Sequence, residues 1–326
     1  MKRFARLILQ RLAASIPCLA LILVVLFLLL RLAPGDAVDA LLAQTGSGDG
    51  TIESMLRTHY GLAGSTSVQL LDYLTRLVRL DLGMSVQYAQ PVLDVILSRL
   101  PVTVLLMTSS LLLAFVAGSA VGIVAARRAG RWPDTLISTL GLVFYATPSF
   151  WFGLMGILLF SVKFSLLPSG GFTDLAAGYT GWRLALDIAA HMVLPVLTLA
   201  LIYLAVYLRV MRASMLEVLT LDFVRTARAK GAAERRVLVR HVLRNALLPL
   251  VTILGLQAGS MLGGAVVVES VFSLPGLGRL ALDAVTGRDL NMLLGIVLMS
   301  SVLVVAINFL VDLLYARLDP RIEAIG

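Results

Sequence analysis

"LPVTVLLMTSSLLLAFVAGSAVGIVAA", residues 100–126, carries no charged side chain over its whole length. A helix rises ~1.5 Å per residue, and a bilayer's hydrocarbon core is ~30 Å thick, so about 20 such residues cross it. The stretch has no strict apolar–polar alternation of the kind a barrel strand needs. It therefore reads as a membrane-crossing helix. Five further uncharged runs lie at 12–30, 135–162, 192–208, 246–268 and 291–311. The run at 192–208 is short before Arg209, but it extends back through His191 to Ala189. An all-α polytopic membrane protein with six transmembrane helices is the expected fold class.

Composition agrees. Of the 326 residues 59% are hydrophobic and 14% charged, and mean hydropathy is +0.94. A soluble domain of this length carries nearer a quarter charged residues. Lys2, Arg3, Arg6 and Arg11 precede the first run, which would also suit a secretory signal. The run is longer than a signal's apolar region of ~7–15 residues, and no A-x-A site follows at "RLAPGD", so an uncleaved signal anchor is expected. Cys18, alone in that run, can form no internal disulfide and leaves the redox compartment open. His59, His191 and His241 have no metal-ligand spacing.

Six spans put both termini on one side. With that side cytoplasmic, its segments hold 18 Lys and Arg against 9 on the other. Cytoplasmic loops are the Lys/Arg-rich ones, so the net charge of +8 is a topology signal. Nucleic-acid binding is excluded as a reading, because the basic residues flank spans without interleaved aromatics. Residues 1–11 form the cytoplasmic N-terminus, 12–31 the first span, 32–99 an outer segment and 312–326 a cytoplasmic tail. The outer segment has a turn-rich "GSGDG" at 46–50. After it, "VQLLDYLTRLVRLDLG" at 68–83 spaces Leu70, Leu71, Leu74, Leu77 and Val78 as on a helix.

The longest cytoplasmic loop, 209–245, contains "DFVRTARAKGAAERRVLVRHVLRNALLP", residues 222–249. "SMLEVLTLDFVRTARAK" at 214–230 can be helical, and Gly231 follows where helices end in a left-handed residue that glycine adopts cheaply. "AERRVLVRHVLRN" then reads as a second helix with Arg236, Arg240 and Arg244 on one stripe. Pro249 falls near the start of the next span, where a missing N–H costs least. This helix–Gly–helix hairpin is either a basic surface attracted to anionic lipid or a docking element for a cytoplasmic partner. Met215, Val218, Leu219 and Phe223 give it apolar surface to bury.

The loop resembles the "EAA" loop of permease subunits from ATP-binding-cassette importers: EAA, three residues, Gly, then an apolar residue and Leu-Pro. Here Arg225-Thr226-Ala227 precedes Gly231, and Ala246-Leu247-Leu248-Pro249 follows. Arg225 replaces the Glu, and the Gly-to-Pro distance is longer. Both departures resemble the peptide and nickel branch, where "DYVRTARAKG" and "RNALLP" are usual. "LAPGD" at 32–36, "LDLGMSV" at 80–86, "PVLDVILSRLPVT" at 91–103, "VESVFSLPGLGRLALDAVTGRD" at 268–289 and "NFLVDLLYARLDPR" at 308–321 resemble the first permease of dipeptide and oligopeptide importers. The resemblance covers nearly the whole chain.

It implies a type I importer permease fold, MetI-like, over 95–315, with an extra N-terminal helix and an outer subdomain. It implies a bacterial or archaeal cytoplasmic membrane protein that forms a translocation pathway with a second homologous permease. Two cytoplasmic ATPase subunits would bind ATP and Mg below, a periplasmic or lipid-anchored binding protein would deliver substrate, and membrane lipid would surround the whole. The chain has no GxxxxGK[ST] phosphate loop and is not expected to hydrolyse ATP, hold a cofactor or metal, or be an enzyme. The coupling loop to the ATPase is expected at Asp222, Phe223, Arg225, Thr226, Ala227, Ala229, Lys230 and Gly231, with Pro249 closing it. Dipeptides and oligopeptides are the expected cargo; nickel chelates and glutathione use the same motifs.

An ion-coupled carrier is the alternative class. It usually needs an ionisable group inside the membrane, yet Glu269 and Asp312 sit at span ends. A membrane enzyme would need a nucleophile or acid–base set, and none converges in the sequence. Asn308 and Asp312 read as a cap or a helix contact. Gly255, Gly259 and Gly263, and likewise Gly118 and Gly122, form small-residue ridges that allow close helix approach, within the chain or against a second permease. Pro148 and Pro195 interrupt spans three and four, where they remove a backbone hydrogen bond and can kink the helix.

Overall fold

The computed structural model describes residues 17–29, 32, 35–45, 50–60, 64–79 and 81–318; the side chains of 43–45, 312 and 314–318 are outside it. Its backbone is helical. The elements are α1 (Pro17–Leu29), α2 (Ala37–Thr45), α3 (Gly50–His59), α4 (Thr66–Val78), α5 (Val92–Arg127), α6 (Trp132–Ala146) and α7 (Ser149–Gly156, continued by a π-helical turn Ile157–Lys163). There follow α8 (Gly181–Leu219), α9 (Asp222–Ala229), α10 (Glu234–Arg236), a π-helical Val237–Leu243, α11 (Arg244–Val271), α12 (Leu277–Thr286) and α13 (Leu290–Leu318).

Four helical stretches among the described residues are long and apolar enough to cross a membrane: Val92–Arg127, Gly181–Leu219, Glu234–Val271 and Leu290–Val311. They outrun the uncharged runs that announced them. At 39 residues, α8 is about 58 Å long, so it carries Arg209 and Arg212 beyond any bilayer core. The first predicted span appears as the 13 residues of α1, with the rest of 12–31 outside the described set. The "GSGDG" turn is likewise outside it, except Gly50.

The third predicted span differs. Residues 135–162 were expected as one helix, and Trp132–Ala146 and Ser149–Lys163 meet at a bend of 100°. Thr147 is extended (φ −85°, ψ 131°) and Pro148 caps α7. A residue before proline is pushed out of the helical region, and the two halves then pack separately. Both lie on α8, and α7 also packs on α11. Pro101, Pro195 and Pro249 stay inside continuous helices.

The chain forms two compact units. One comprises residues up to Thr103 with Pro275–Val305. One apolar cluster among its described residues joins Val92, Val95 and Ile96 of α5 to Leu277, Leu280 and Ala284 of α12 and Met292 and Ile296 of α13. Asp289 is buried there and accepts hydrogen bonds from Ser85 Oγ (2.6 Å), the Gln87 N–H (3.2 Å) and the Met292 N–H (3.1 Å). Asn291 Nδ2 donates to the Met84 carbonyl at 3.0 Å, so the hairpin of 84–91 is tied to the start of α13. A second cluster packs Leu23 and Phe27 of α1 on Tyr73 of α4 and Leu294. The apolar face of α4 is therefore rotated from the one expected. Leu70, Tyr73, Leu74 and Leu77 form the buried stripe, and Leu71 and Val78, about 90° away around the helix, are exposed.

The other unit comprises Val104–Leu274 with the residues from Ala306 onward. Here the ridge of Gly118 and Gly122 is explained. A Cβ on Gly118 would stand 2.8 Å from the Leu204 carbonyl oxygen and from Tyr207 Cβ; one on Gly122 would stand 2.7 Å from the Leu208 oxygen. These glycines let α5 touch the backbone of α8. The second ridge divides. Gly255 faces Asn308 and Val311 of α13, which gives Asn308 the helix-contact role, and Gly263 opens onto free space. Glu269, read as a span-end residue, is fully buried.

Candidate functional site

The hairpin begins where α8 ends. Thr220 Oγ1 bonds back to the Glu217 carbonyl (2.7 Å), and Leu221 turns extended (φ −73°, ψ 148°) before α9 starts at Asp222. The predicted helix over 214–230 is thus two pieces: 214–219 complete α8, and 222–229 form α9. Asp222 occupies the first turn, where a carboxylate suits the helix dipole, and Thr226 Oγ1 donates to the Asp222 carbonyl (2.9 Å).

Gly231 closes α9 with φ +77°. Its N–H donates to the Arg228 carbonyl (2.9 Å), and the Ala232 N–H donates to the Ala227 carbonyl (3.2 Å). That pair of bonds is a Schellman motif. Lys230 N–H donates to the Thr226 carbonyl (3.0 Å). Across the turn, Arg228 pairs with Glu234 through Nη2 (2.8 Å) and Nε (3.2 Å). The carboxylate's hydrogen bond raises the guanidinium's pKa above its ordinary value. Arg225 reaches Asp222 only at 3.7 Å, with both side chains in solvent.

Sequence reasoning missed the residue that anchors α9. Val224 is wholly buried, and α9 packs on the π-helical turn that contains the equally buried Val237 and Val242. Its only cue was an apolar residue opposite the arginines. Met215 and Val218, expected to offer apolar surface, are buried inside the chain, and Leu219 is half-buried. What α9 and its two capping residues present to solvent is Leu221, Asp222, Phe223, Arg225, Thr226, Arg228, Ala229 and Lys230, with Phe223 41% exposed. Ala227 is half-buried.

The second half of the hairpin corrects another expectation. "AERRVLVRHVLRN" is not a separate helix, because Glu234–Val271 runs as one helical stretch. Pro249 therefore sits inside α11, not at its start. Its missing N–H leaves the carbonyl four residues back, at Asn245, without a helical donor. The widened π turn lies immediately upstream, at Val237–Leu243. Arg236, Arg240 and Arg244 are all exposed.

One side-chain pair fixes the arm that carries the hairpin. Arg212, two turns before the end of α8, grips Asp134 at the start of α6 with Nε to Oδ1 at 2.6 Å and Nη2 to Oδ2 at 2.7 Å. Asp134 is only 4% exposed and also accepts from the Gly130 N–H (3.0 Å). One turn earlier, Arg209 lies over the Tyr145 ring, 5.4 Å from its centroid. Both residues are 64 or more positions from their partners, so spacing gave no sign of them. The site is thus a short helix and a left-handed turn, held between the two long helices α8 and α11.

Comparison with known proteins supplies the context. A chain of the MetNI methionine ABC transporter, crystallised in inward-facing conformations, superposes with a TM-score of 0.55 at 18% identity, over 69% of this chain and 96% of that one. That likeness shows the fold. The oligopeptide transport system permease protein AppB of Bacillus subtilis (strain 168) is 40% identical over 98% of this chain and 99% of its own length. A Brucella abortus (strain 2308) protein that carries the name of a peptide transport system permease is also 40% identical, over 97% and 98%. Residues 118–324 match the family model described as binding-protein-dependent transport system inner membrane component. With those relatives aligned along nearly its full length, the chain belongs to that family, a multi-pass permease of the ABC-importer type.

Proposed function

We propose that the chain is the pore-forming subunit of an ATP-driven peptide importer and that α9 with Gly231 is its contact to the ATPase. The observation that carries this reading is the exposed α9, seated by Val224 on a helix that continues unbroken to Val271. Force applied to α9 reaches α8 through Leu221 and α11 through the π turn. The pathway would be completed by a second homologous permease, with two ATPase subunits that bind ATP and Mg, and a binding protein that delivers the peptide. Catalysis would lie wholly in the ATPases. Both termini and 209–245 would face the cytoplasm, in line with the 18-to-9 charge asymmetry. The relatives named for peptide and oligopeptide transport favour peptides as cargo.

The test is reconstitution. The chain alone in liposomes neither hydrolyses ATP nor accumulates peptide, and addition of its partner permease, ATPases and binding protein produces uptake. ATP-driven uptake by the single chain would sink the proposal. Orientation is read by cysteine labelling in a Cys18→Ala background. Ser54→Cys reacts with an impermeant thiol reagent from outside the cytoplasmic membrane, and Ala233→Cys does not.

A further inference from the structure

A cavity of about 460 Å³ opens beside the hairpin. Its walls come from the last turn of α5, the end of α8 and the segment Glu234–Leu243. Ile123, Val239 and Leu243 give the lining apolar surface, and Arg127 and Arg235 give it basic groups. Both guanidiniums are exposed and neither forms an ion pair among the described residues. The one acid in the lining, Glu234, is already held by Arg228. Arg127 also lies close enough to Glu234 to help hold its carboxyl below the usual range, so the cavity offers two positive charges, one of them partly balanced by Glu234, next to apolar surface.

Its depth is set by the helices. Arg127 ends the uncharged run of α5, and Leu243 stands just before that of α11, so the cavity lies where hydrocarbon gives way to headgroups. Val124, Val116 and Leu112 continue an exposed apolar surface along α5. Basic pockets between membrane helices at this level hold anionic lipid headgroups. We propose that the cavity binds one anionic phospholipid. Arg127 and Arg235 share its phosphate, and an acyl chain runs from Ile123, Val239 and Leu243 along α5. A peptide or a protein side chain would match the charges but not the apolar wall that continues into the membrane.

One wall of the cavity is the segment on which α9 packs. A bound lipid therefore braces the hairpin against α5 and stabilises the geometry in which α9 meets its partner. Removal of anionic lipid is expected to lower coupled uptake before it disturbs assembly.

The complete importer is purified in mild detergent and exposed to phosphatidylcholine vesicles with or without phosphatidylglycerol. Retained lipid is then counted by native mass spectrometry. At about fivefold per basic group, Arg127→Gln/Arg235→Gln lowers phosphatidylglycerol retention about thirtyfold. Arg127→Lys/Arg235→Lys keeps most of it. Arg128→Gln/Arg131→Gln, which removes equal charge from the same loop outside the cavity, leaves it unchanged. Folding is checked by co-elution of all subunits, and both guanidiniums are solvent-exposed without ion pairs to lose. Equal loss in the Arg128/Arg131 control would mean diffuse surface charge and overturn the proposal. Unchanged lipid with loss of ATPase co-purification in the Gln pair would make the cavity a protein-docking surface, and that also overturns it.

Discussion

Replacement of Gly231 isolates the geometry of the hairpin from everything else that a substitution disturbs. The residue has φ +77°, and a Cβ built there meets nothing within 4 Å. No packing is lost or overfilled, so the effect reduces to the backbone. A side chain with a Cβ costs about 1–2 kcal/mol in the left-handed region, and a β-branched one more; asparagine, whose short polar side chain visits this region, costs less. One to two kcal/mol shifts a local equilibrium about 5–30-fold. The Schellman bonds from Gly231 and Ala232 to Arg228 and Ala227 would open in that proportion, and the angle between α9 and Glu234 would change with them. Global stability falls by no more than that backbone cost, because the exposed residue has no packing to lose. The expected order of ATP-dependent peptide uptake in reconstituted importer at matched expression is Gly, then Asn, then Ala, then Val, with Val reduced about tenfold or more. ATPase co-purification follows the same order. If Gly231→Val transports as well as the parent, the turn does not set the contact and α9 is not the coupling helix. If Arg240→Gln is the more damaging change, charge on the surface matters more than shape, and the same conclusion follows.

Other outcomes can be checked alongside. Arg212→Met strands the buried Asp134 carboxylate and is expected to cost about 3 kcal/mol, seen as a lower Tm of the detergent-solubilised chain. Asp134→Asn added to it recovers much of that loss, and independent additive losses would show that the pair is not coupled. Gly122→Leu drives side-chain atoms into the backbone of α8 at Leu208, costs at least the 1–3 kcal/mol of an overfilled core, and lowers the yield of folded chain; wild-type stability would refute the close approach. Val224→Asp places a charge against Val237 and Val242 and frees α9, so protease cleavage within 220–233 accelerates while the spans stay intact.

Much of this protein is determined by local sequence. A run of 20 or more uncharged apolar residues without strand alternation reads as a helix across a bilayer, because only helices and closed barrels satisfy the backbone there. That made α5, α8, α11 and α13 legible from their composition. Gly231 was legible for a similar reason: the end of a helix is a six-residue event, and only glycine takes its left-handed step cheaply. The family was legible because the loop motif and its flanks are long. Tertiary structure decided the rest. Four prolines lie in apolar stretches, and only Pro148 marks a 100° break; it stands between Thr147 and Ser149, where the other three stand between Leu and Val or Leu, but the break also depends on the two halves finding separate seats, both on α8 and one on α11. The separate second helix of the hairpin vanished for the converse reason, since continuity into α11 lets Val237 and Val242 bury together under Val224. The Arg212–Asp134 grip joins residues 78 positions apart. An ion pair at that distance in the chain has no period and no motif, and it exists only because packing brings α6 onto α8.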